Sequence, residues 1–549
     1  MLCDLNLQKY KNGLKILLDG NIGTIRYVGP LLNKKGTWIG LEWDDENKGK
    51  HDGVYQDIRY FQTKKSKNGS FLPYEVIKEK VNFGQTCKEA LINQYSDSFS
   101  SPSIYINHNQ CVEKVGFEDV TTKQKDLKNL KIIGLSNKYI SCLDNHESLS
   151  NLAPNVVNLD ISINLFTHFK DIIHIFEDLS FLEELNISNN QLSLKDLDRF
   201  NRTFPHVKRL VANKMNYDWS QVAKLLQIFP TLNELYLGNN DLSHLALDNF
   251  MVNNCVKVLD IQSNSLIKSW QNDISPLAKI FPNLFTLNLN HVCIGDIDGM
   301  LHKPENAPYN FECLRTLYLH DCQIRDWISI NNLLKIAPNL ENLTISSNPI
   351  ALDPDVDSST LDPYSKELSR IDWCLIAKLP KLKILNGSTL HLWDRKNAEI
   401  YYLKHFAEDY HKIGVAKDNT PSSDFCTLHP TYPSLVEKYG APDSMISVAN
   451  LNHSKISDDL IKIVFMYNDK RLVKRLPSNM TISKCKSLIK RAFKIDSHLF
   501  GDVLLTLKDI RHENGNDVNL VYIDLENDYS ELSFYSIKNN DEIIVKISN

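Results

Sequence analysis

The sequence has no excess of positive charge: 549 residues carry a net charge of −5, with 23% charged side chains. A nucleic-acid binder needs a dense basic face to neutralise phosphates, so that class is excluded and other proteins are the expected partners. Paired cysteines are missing too. The 11 cysteines are scattered singly, with no Cys-x-x-Cys and no histidines at metal-ligand spacing. That pattern excludes a zinc site and a disulfide framework and points to reduced thiols in the cytoplasm. No run of ~18 apolar residues occurs, and Met1 to Gln8 lack the basic and apolar regions of a signal peptide, so no membrane association is expected.

The sequence also lacks catalytic constellations. There is no P-loop, no Gly-x-Ser-x-Gly elbow, no His-Glu-x-x-His and no Gly-x-Gly-x-x-Gly. Acid pairs such as Glu183-Glu184 and Asp458-Asp459 read as solvated surface. No catalytic residue, metal ligand or cofactor is assigned, and the chain reads as a binding protein rather than an enzyme.

What is present begins with Gly49-Lys50-His51-Asp52-Gly53, two glycines enclosing a cation and two short polar groups. Glycine admits backbone angles that a Cβ forbids, so this run can form a tight loop that offers Lys50 and His51 to an anion. Aromatic residues flank it: Trp38 and Trp43 before, Tyr60, Phe61 and Phe71 after. Flat rings beside a cation suit the end of a peptide, burying its last side chain while Lys50 takes its carboxylate. The same rings also suit the core of a small β domain, and both uses are expected. With Gly23-Thr24-Ile25-Arg26-Tyr27-Val28-Gly29, Trp38-Ile39-Gly40, Arg59-Tyr60-Phe61 and Gly69-Ser70-Phe71, the segment of about residues 12 to 80 resembles a CAP-Gly domain. It departs at His51, where most such domains have Asn. The resemblance implies recognition of an acidic C-terminal tail ending in an aromatic residue, as in α-tubulin. Gly49, Lys50, His51, Asp52 and Gly53 would form the binding loop, Lys50 and His51 holding the carboxylate, and Trp38, Trp43 and Phe61 would shape the pocket.

The strongest fold signal is an internal repeat of the form L-x-x-L-x-L-x-x-N-x-L. It runs through Val156, Leu159, Ile161, Asn164 and Phe166, and recurs from Leu182, Leu232, Val256 and Leu340, with degenerate copies from Leu130, Val207, Leu284 and Leu314. This resembles a leucine-rich repeat: apolar residues of short strands point inward, and the asparagine satisfies the backbone where the chain turns away. Prolines 154, 205, 230, 282, 338 and 380 end each preceding outer segment. Segments such as Asp171 to Leu179 and Asn331 to Ala337 have helical spacing, so the outer face is expected to be helical. The strand residues between the inward ones face the concave side. Among them Tyr236, Tyr318, Glu184 and Asp260 are the candidate protein contacts, because aromatics among hydrogen-bonding groups anchor interfaces. Asp394 to Tyr402 reads as a terminal cap, and the stretch with Asp353, Asp355, Asp357 and Asp362 as an insertion.

Near the C-terminus, Leu460 to Phe465 and Arg471 to Leu476 read as a hairpin, Ile482 to Phe493 as an amphipathic helix, and Val503 to Leu507 and Glu542 to Ile547 as strands. That order resembles a ubiquitin-like β-grasp, and without a terminal Gly-Gly it would act by docking. The fold class is therefore multidomain α+β, with a small β-barrel-like CAP-Gly domain at 1–83, a linker at 84–118 and a leucine-rich-repeat solenoid with terminal cap at 119–410. A second linker at 411–457 and a ubiquitin-like domain at 458–549 complete it. A helix is expected from Asp119 to Leu127. This domain order, with His in Gly-Lys-His-Asp-Gly, resembles the tubulin-folding cofactor E family. The resemblance implies a monomeric cytoplasmic chaperone, associated with the cytoskeleton, that binds the α-tubulin tail and body, αβ-tubulin and the other tubulin-folding cofactors. The proteasome is a further candidate partner of the ubiquitin-like domain. The alternative is a microtubule plus-end adaptor that binds tails through its CAP-Gly domain and cargo through the repeats.

Overall fold

The computed structural model describes residues 7–45, 47–95, 105–107, 110–111, 127–143, 148–190, 192–199, 202–245, 251–297, 310–350, 369–413, 423–440, 460–468, 470–478, 480–493, 503–513, 517–525, 530–535 and 537–547. They fall into two compact units, Met1–Pro442 and Asp443–Asn549. The expected helix from Asp119 to Leu127 lies outside the described residues except for Leu127, and the acidic insertion around Asp353 to Asp362 lies outside them altogether.

In the first unit, the strands Lys15–Leu18, Asn21–Gly29, Trp38–Trp43 and Gly69–Pro73 form an antiparallel sheet in that order. The first hairpin turns through Asp19 and Gly20, both at positive φ, which matches the right-handed twist of the flanking strands. Ile16, Ile25, Ile39, Leu41 and Trp43 build its core with Tyr10 and Tyr74.

The repeats form a sheet of eleven short strands, parallel until the last, from Ile132–Gly134 to Ser388–Thr389. Their central residues stay in register, Leu159 beside Leu185, Leu210, Leu235, Leu259, Leu287, Leu317 and Leu343, and all are buried. The asparagines do what the template requires. Asn240 Nδ2 donates to the carbonyls of Ala212 and Leu237 at 2.9 Å, and its Oδ1 accepts from the amides of Met215 and Tyr217 at 2.9 and 3.0 Å. Asn164, Asn264 and Asn348 repeat this pattern. Where Cys322 replaces asparagine, its thiol reaches the Leu289 carbonyl at 3.1 Å and, more weakly, the His320 carbonyl at 3.6 Å. The outer side carries the helices Lys170–Asp178, Trp219–Ile228, Trp327–Ile336 and Arg370–Lys378.

Both ends of the array extend into stretches expected to be linkers. Gln85–Thr86 pairs with Ile140–Cys142, and the helix Cys87–Tyr95 buries Cys87, Ala90 and Leu91 in the repeat core. Tyr95 closes that edge by accepting the Gly134 amide at 2.8 Å. At the other end the cap helix Leu392–His405 is joined by Ala407–Ile413, Ser423–Leu428 and Tyr432–Tyr439, with Phe425, Tyr432 and Leu435 buried against Cys374, Ala377 and Tyr402. Polar contacts pin this attachment: Lys378 Nζ donates to Asn331 Oδ1 at 2.9 Å and to the Leu428 carbonyl at 2.8 Å, and Lys438 pairs with buried Glu399 at 2.6 Å. Burial lowers the Lys378 pKa to about 8.

The second unit is a five-stranded sheet crossed on one face by the helix Ile482–Ala492. From edge to edge its strands are Lys470–Pro477, Leu460–Tyr467, Glu542–Ile547, Val503–Glu513 and Asp517–Asp524. The central pair, Leu460–Tyr467 with Glu542–Ile547, is parallel, as a β-grasp requires. Asp517–Asp524 is a strand that the sequence pattern did not reveal.

Candidate peptide-binding site

The loop 49–53 is fastened to the last strand of the N-terminal sheet. The amides of Lys50 and His51 both donate to the Gly69 carbonyl, at 2.8 and 3.2 Å, and the Gly69 amide donates back to the His51 carbonyl at 2.6 Å. Two of its glycines are sterically required. A Cβ on Gly49 would stand 2.0 Å from the Lys67 carbonyl oxygen, and Gly53, at φ +99°, would place one 2.1 Å from that of Phe61. The sequence folds this way because only glycine lets two backbones approach so closely.

The loop carries His51 onto an aromatic cluster. Its ring stacks on Phe71 with centroids 4.7 Å apart, and Tyr60, Phe61, Tyr55 and Tyr27 meet Phe71 edge-on at 5.6, 5.2, 6.2 and 6.3 Å. Phe61 is buried beneath, while His51, Tyr27, Tyr55, Tyr60 and Phe71 are partly open. The result is a ring-lined shelf. Gly40 lets it form, since a Cβ there would fall 2.5 Å from the Phe61 ring. Lys50 stands exposed on the same loop, with no ion pair to any described residue.

The neighbouring charges are occupied. Arg59 pairs with Asp52 at 2.7 Å and donates to the Asp52 and Phe61 carbonyls, which fixes the loop. Its hydrogen bond holds the Asp52 carboxyl below the usual range. His51 Nδ1 accepts the Gly53 amide at 3.0 Å, and burial lowers its pKa, so the ring is neutral. His51 is thus braced through Nδ1, and its neutral ring carries its one N–H at Nε2, the atom that could donate to a carboxylate. Trp43 differs from expectation. It is buried in the sheet core, with Nε1 donating to Ser70 Oγ at 3.0 Å. Trp38 is half-buried at the start of its strand, its Nε1 donating to the Lys35 carbonyl at 3.3 Å. The ring at the centre of the shelf is Phe71, which its place in Gly69-Ser70-Phe71 beside the loop could have revealed.

The four concave-face candidates have unequal places. Arg209 bridges Glu184 at 3.2 Å and Glu234 at 2.6 Å across adjacent strands, and the Tyr236 hydroxyl donates to the same Glu234 oxygen at 3.0 Å. Glu184 and Tyr236 therefore belong to an internal ladder. Asp260 is buried, accepting from the Gln262 amide and from Asn288 Nδ2, and desolvation raises its pKa; it is a structural group, contrary to expectation. Tyr318 stands outside that network, half-buried in the same row as Tyr236. Arg209 escaped the sequence reading because its copy lacks the asparagine, although Val207, Leu210 and Ala212 set its register.

Among the described residues no cluster of three or more His, Cys, Asp or Glu side chains is placed to hold a metal, and no helix is long and apolar enough to cross a membrane.

Comparison with known proteins matches residues 13–77 to the CAP-Gly domain family. The chain is 31% identical to tubulin-specific chaperone E of Pongo abelii, over 97% of this chain and 98% of that one. It is 28% identical to tubulin-folding cofactor E of Arabidopsis thaliana, over 87% and 88%. The solved C-terminal ubiquitin-like domain of mouse tubulin-specific chaperone E shares 28% identity, covering 18% of this chain and 96% of that one, with a TM-score of 0.14.

Proposed function

The chain belongs to the tubulin-specific chaperone E family, and on that premise we propose that it is a tubulin-folding chaperone that takes α-tubulin by its C-terminal tail. The observation that carries this reading is an exposed Lys50, without an ion pair among the described residues, beside an open shelf of rings, in a chain matched over nearly its whole length by tubulin chaperones. Lys50 holds the terminal carboxylate by a charge-assisted hydrogen bond, and Phe71, Tyr60 and the neutral His51 ring pack on the last side chain. The repeat array and the ubiquitin-like domain engage the tubulin body. Each contact can be modest, because tethering by the tail makes the next one intramolecular.

In this reading the protein works in the cytoplasm on the cytoskeletal subunit, as a monomer with the other tubulin-folding cofactors, in assembling and dissociating the αβ heterodimer. It performs no catalytic step of its own. Separating the heterodimer requires tighter binding to one subunit than to the pair. Gel filtration with soluble αβ-tubulin, with and without the other cofactors, tests the proposal. A chaperone comigrates with tubulin off the polymer and in excess depletes microtubules. Decoration of intact microtubules with no effect on soluble tubulin contradicts it.

A further inference from the structure

The C-terminal sheet ends on one side in a strand of unusual chemistry. Among the described residues Lys470–Pro477, eight residues long, is outermost and pairs only with Leu460–Tyr467. Lys470, Arg471, Lys474 and Arg475 are all exposed along it, and the strand contains no carboxylate. None of these four forms an ion pair with a described residue. Val473, between them, is 43% exposed.

The charge continues around the strand. Residues 460–492, comprising the hairpin and the helix, hold nine Lys or Arg against the single carboxylate Asp469. Arg475 faces Lys462 across the hairpin, a juxtaposition of like charges that costs stability unless something compensates it. The rest of the sheet has the opposite balance, and the far edge strand Asp517–Asp524 carries two aspartates and no cation.

Lysines on an edge strand discourage pairing with a neutral strand. They do so by charge, and the same charges favour a strand of opposite sign. An edge strand leaves every second residue's amide and carbonyl unpaired, in position to accept another extended chain. Because side chains alternate, Arg471 and Arg475 lie on one face and Lys470 and Lys474 on the other, so carboxylates on both faces of an added strand would meet a cation. Val473 offers apolar contact at its centre.

We infer that the edge strand Lys470–Pro477 is a docking site for an acidic polypeptide segment, which adds to the sheet as a sixth strand in extended conformation. The site needs no free C-terminus in its ligand, which separates it from the Lys50 shelf, and it stands independently of the tail reading.

The test uses the full chain and a fluorescein-labelled, C-terminally amidated ten-residue peptide of glutamates with two central leucines. Amidation removes the carboxylate that the Lys50 shelf requires. The wild type is expected to bind it with an affinity that falls at least tenfold in the double variant Lys474→Glu, Arg475→Glu, and little in Lys484→Glu, Lys490→Glu on the helix of the same unit. Circular dichroism confirms that both variants fold. Amide hydrogen exchange adds a readout that simple charge attraction does not move: peptide slows exchange within 470–477. Equal loss in the two double variants, or binding without protection of that strand, overturns the proposal. So does self-association through that edge in sedimentation, which would assign it to a second copy.

Discussion

At the scale of single residues, the N-terminal loop divides its side chains between those that hold the fold and those left open, which the proposed function assigns to the ligand. Gly49 and Gly53 let the loop close, Asp52 and Arg59 lock it, and Lys50 is left exposed. Trp43 belongs to the first group. Trp43→Phe removes the Nε1 donor to Ser70 from a buried site, and one buried hydrogen bond contributes about 1 kcal/mol. The N-terminal domain is expected to lose about that much stability in urea titration followed by near-ultraviolet circular dichroism, with tail-peptide affinity unchanged. A tenfold loss of affinity would return Trp43 to the binding surface. The loop and its glycines were legible in the sequence because their spacing is rigid chemistry. The roles of Trp43 and Phe71 were not, because both are aromatic residues beside the loop and only strand register decides which faces the core.

At the scale of elements, the helices Ser423–Leu428 and Tyr432–Tyr439 are held on the solenoid cap by buried polar groups. His429 lies 2.7 Å from the Tyr402 hydroxyl, and burial, with Lys378 and His405 adding to it, lowers its pKa to about 4. The unfolded chain takes up this proton near pH 6.5, whereas the folded cap resists it until about pH 4. The unfolded state therefore binds more protons in that window, and the cap's stability, complete above pH 6.5, drains away as pH falls toward 4. Thermal melts across the window should show a steeper fall in Tm for the wild type than for His429→Gln; parallel slopes would remove His429 as the cause. The repeats were read correctly because inward leucines and turn asparagines recur at fixed intervals. This attachment was not: its prolines read as a connector, and contacts such as Lys378 with Leu428 join residues fifty positions apart, which no local period records. The same limit hid Arg209, whose partners lie one repeat away on either side.

At the scale of the whole molecule, the chain combines a short-range grip with larger surfaces. A ring shelf beside one lysine buries too little to hold a large client alone; in the proposed function it captures the tail, and the solenoid and the C-terminal domain, acting at the high local concentration that tethering provides, retain the body. Domain order was legible because each module carries its own periodicity, and the match to tubulin chaperones spans nearly the full length. The claim everything else leans on is that Lys50 receives a free carboxylate. Fluorescence anisotropy of an acidic peptide ending in an aromatic residue measures it, comparing wild type with Lys50→Ala and the free-acid peptide with its amide. A loss of at least tenfold is expected from either change, with no additional loss from making both, because each removes the same contact. Equal affinity for acid and amide, with Lys50→Ala folded and unaffected, would contradict it.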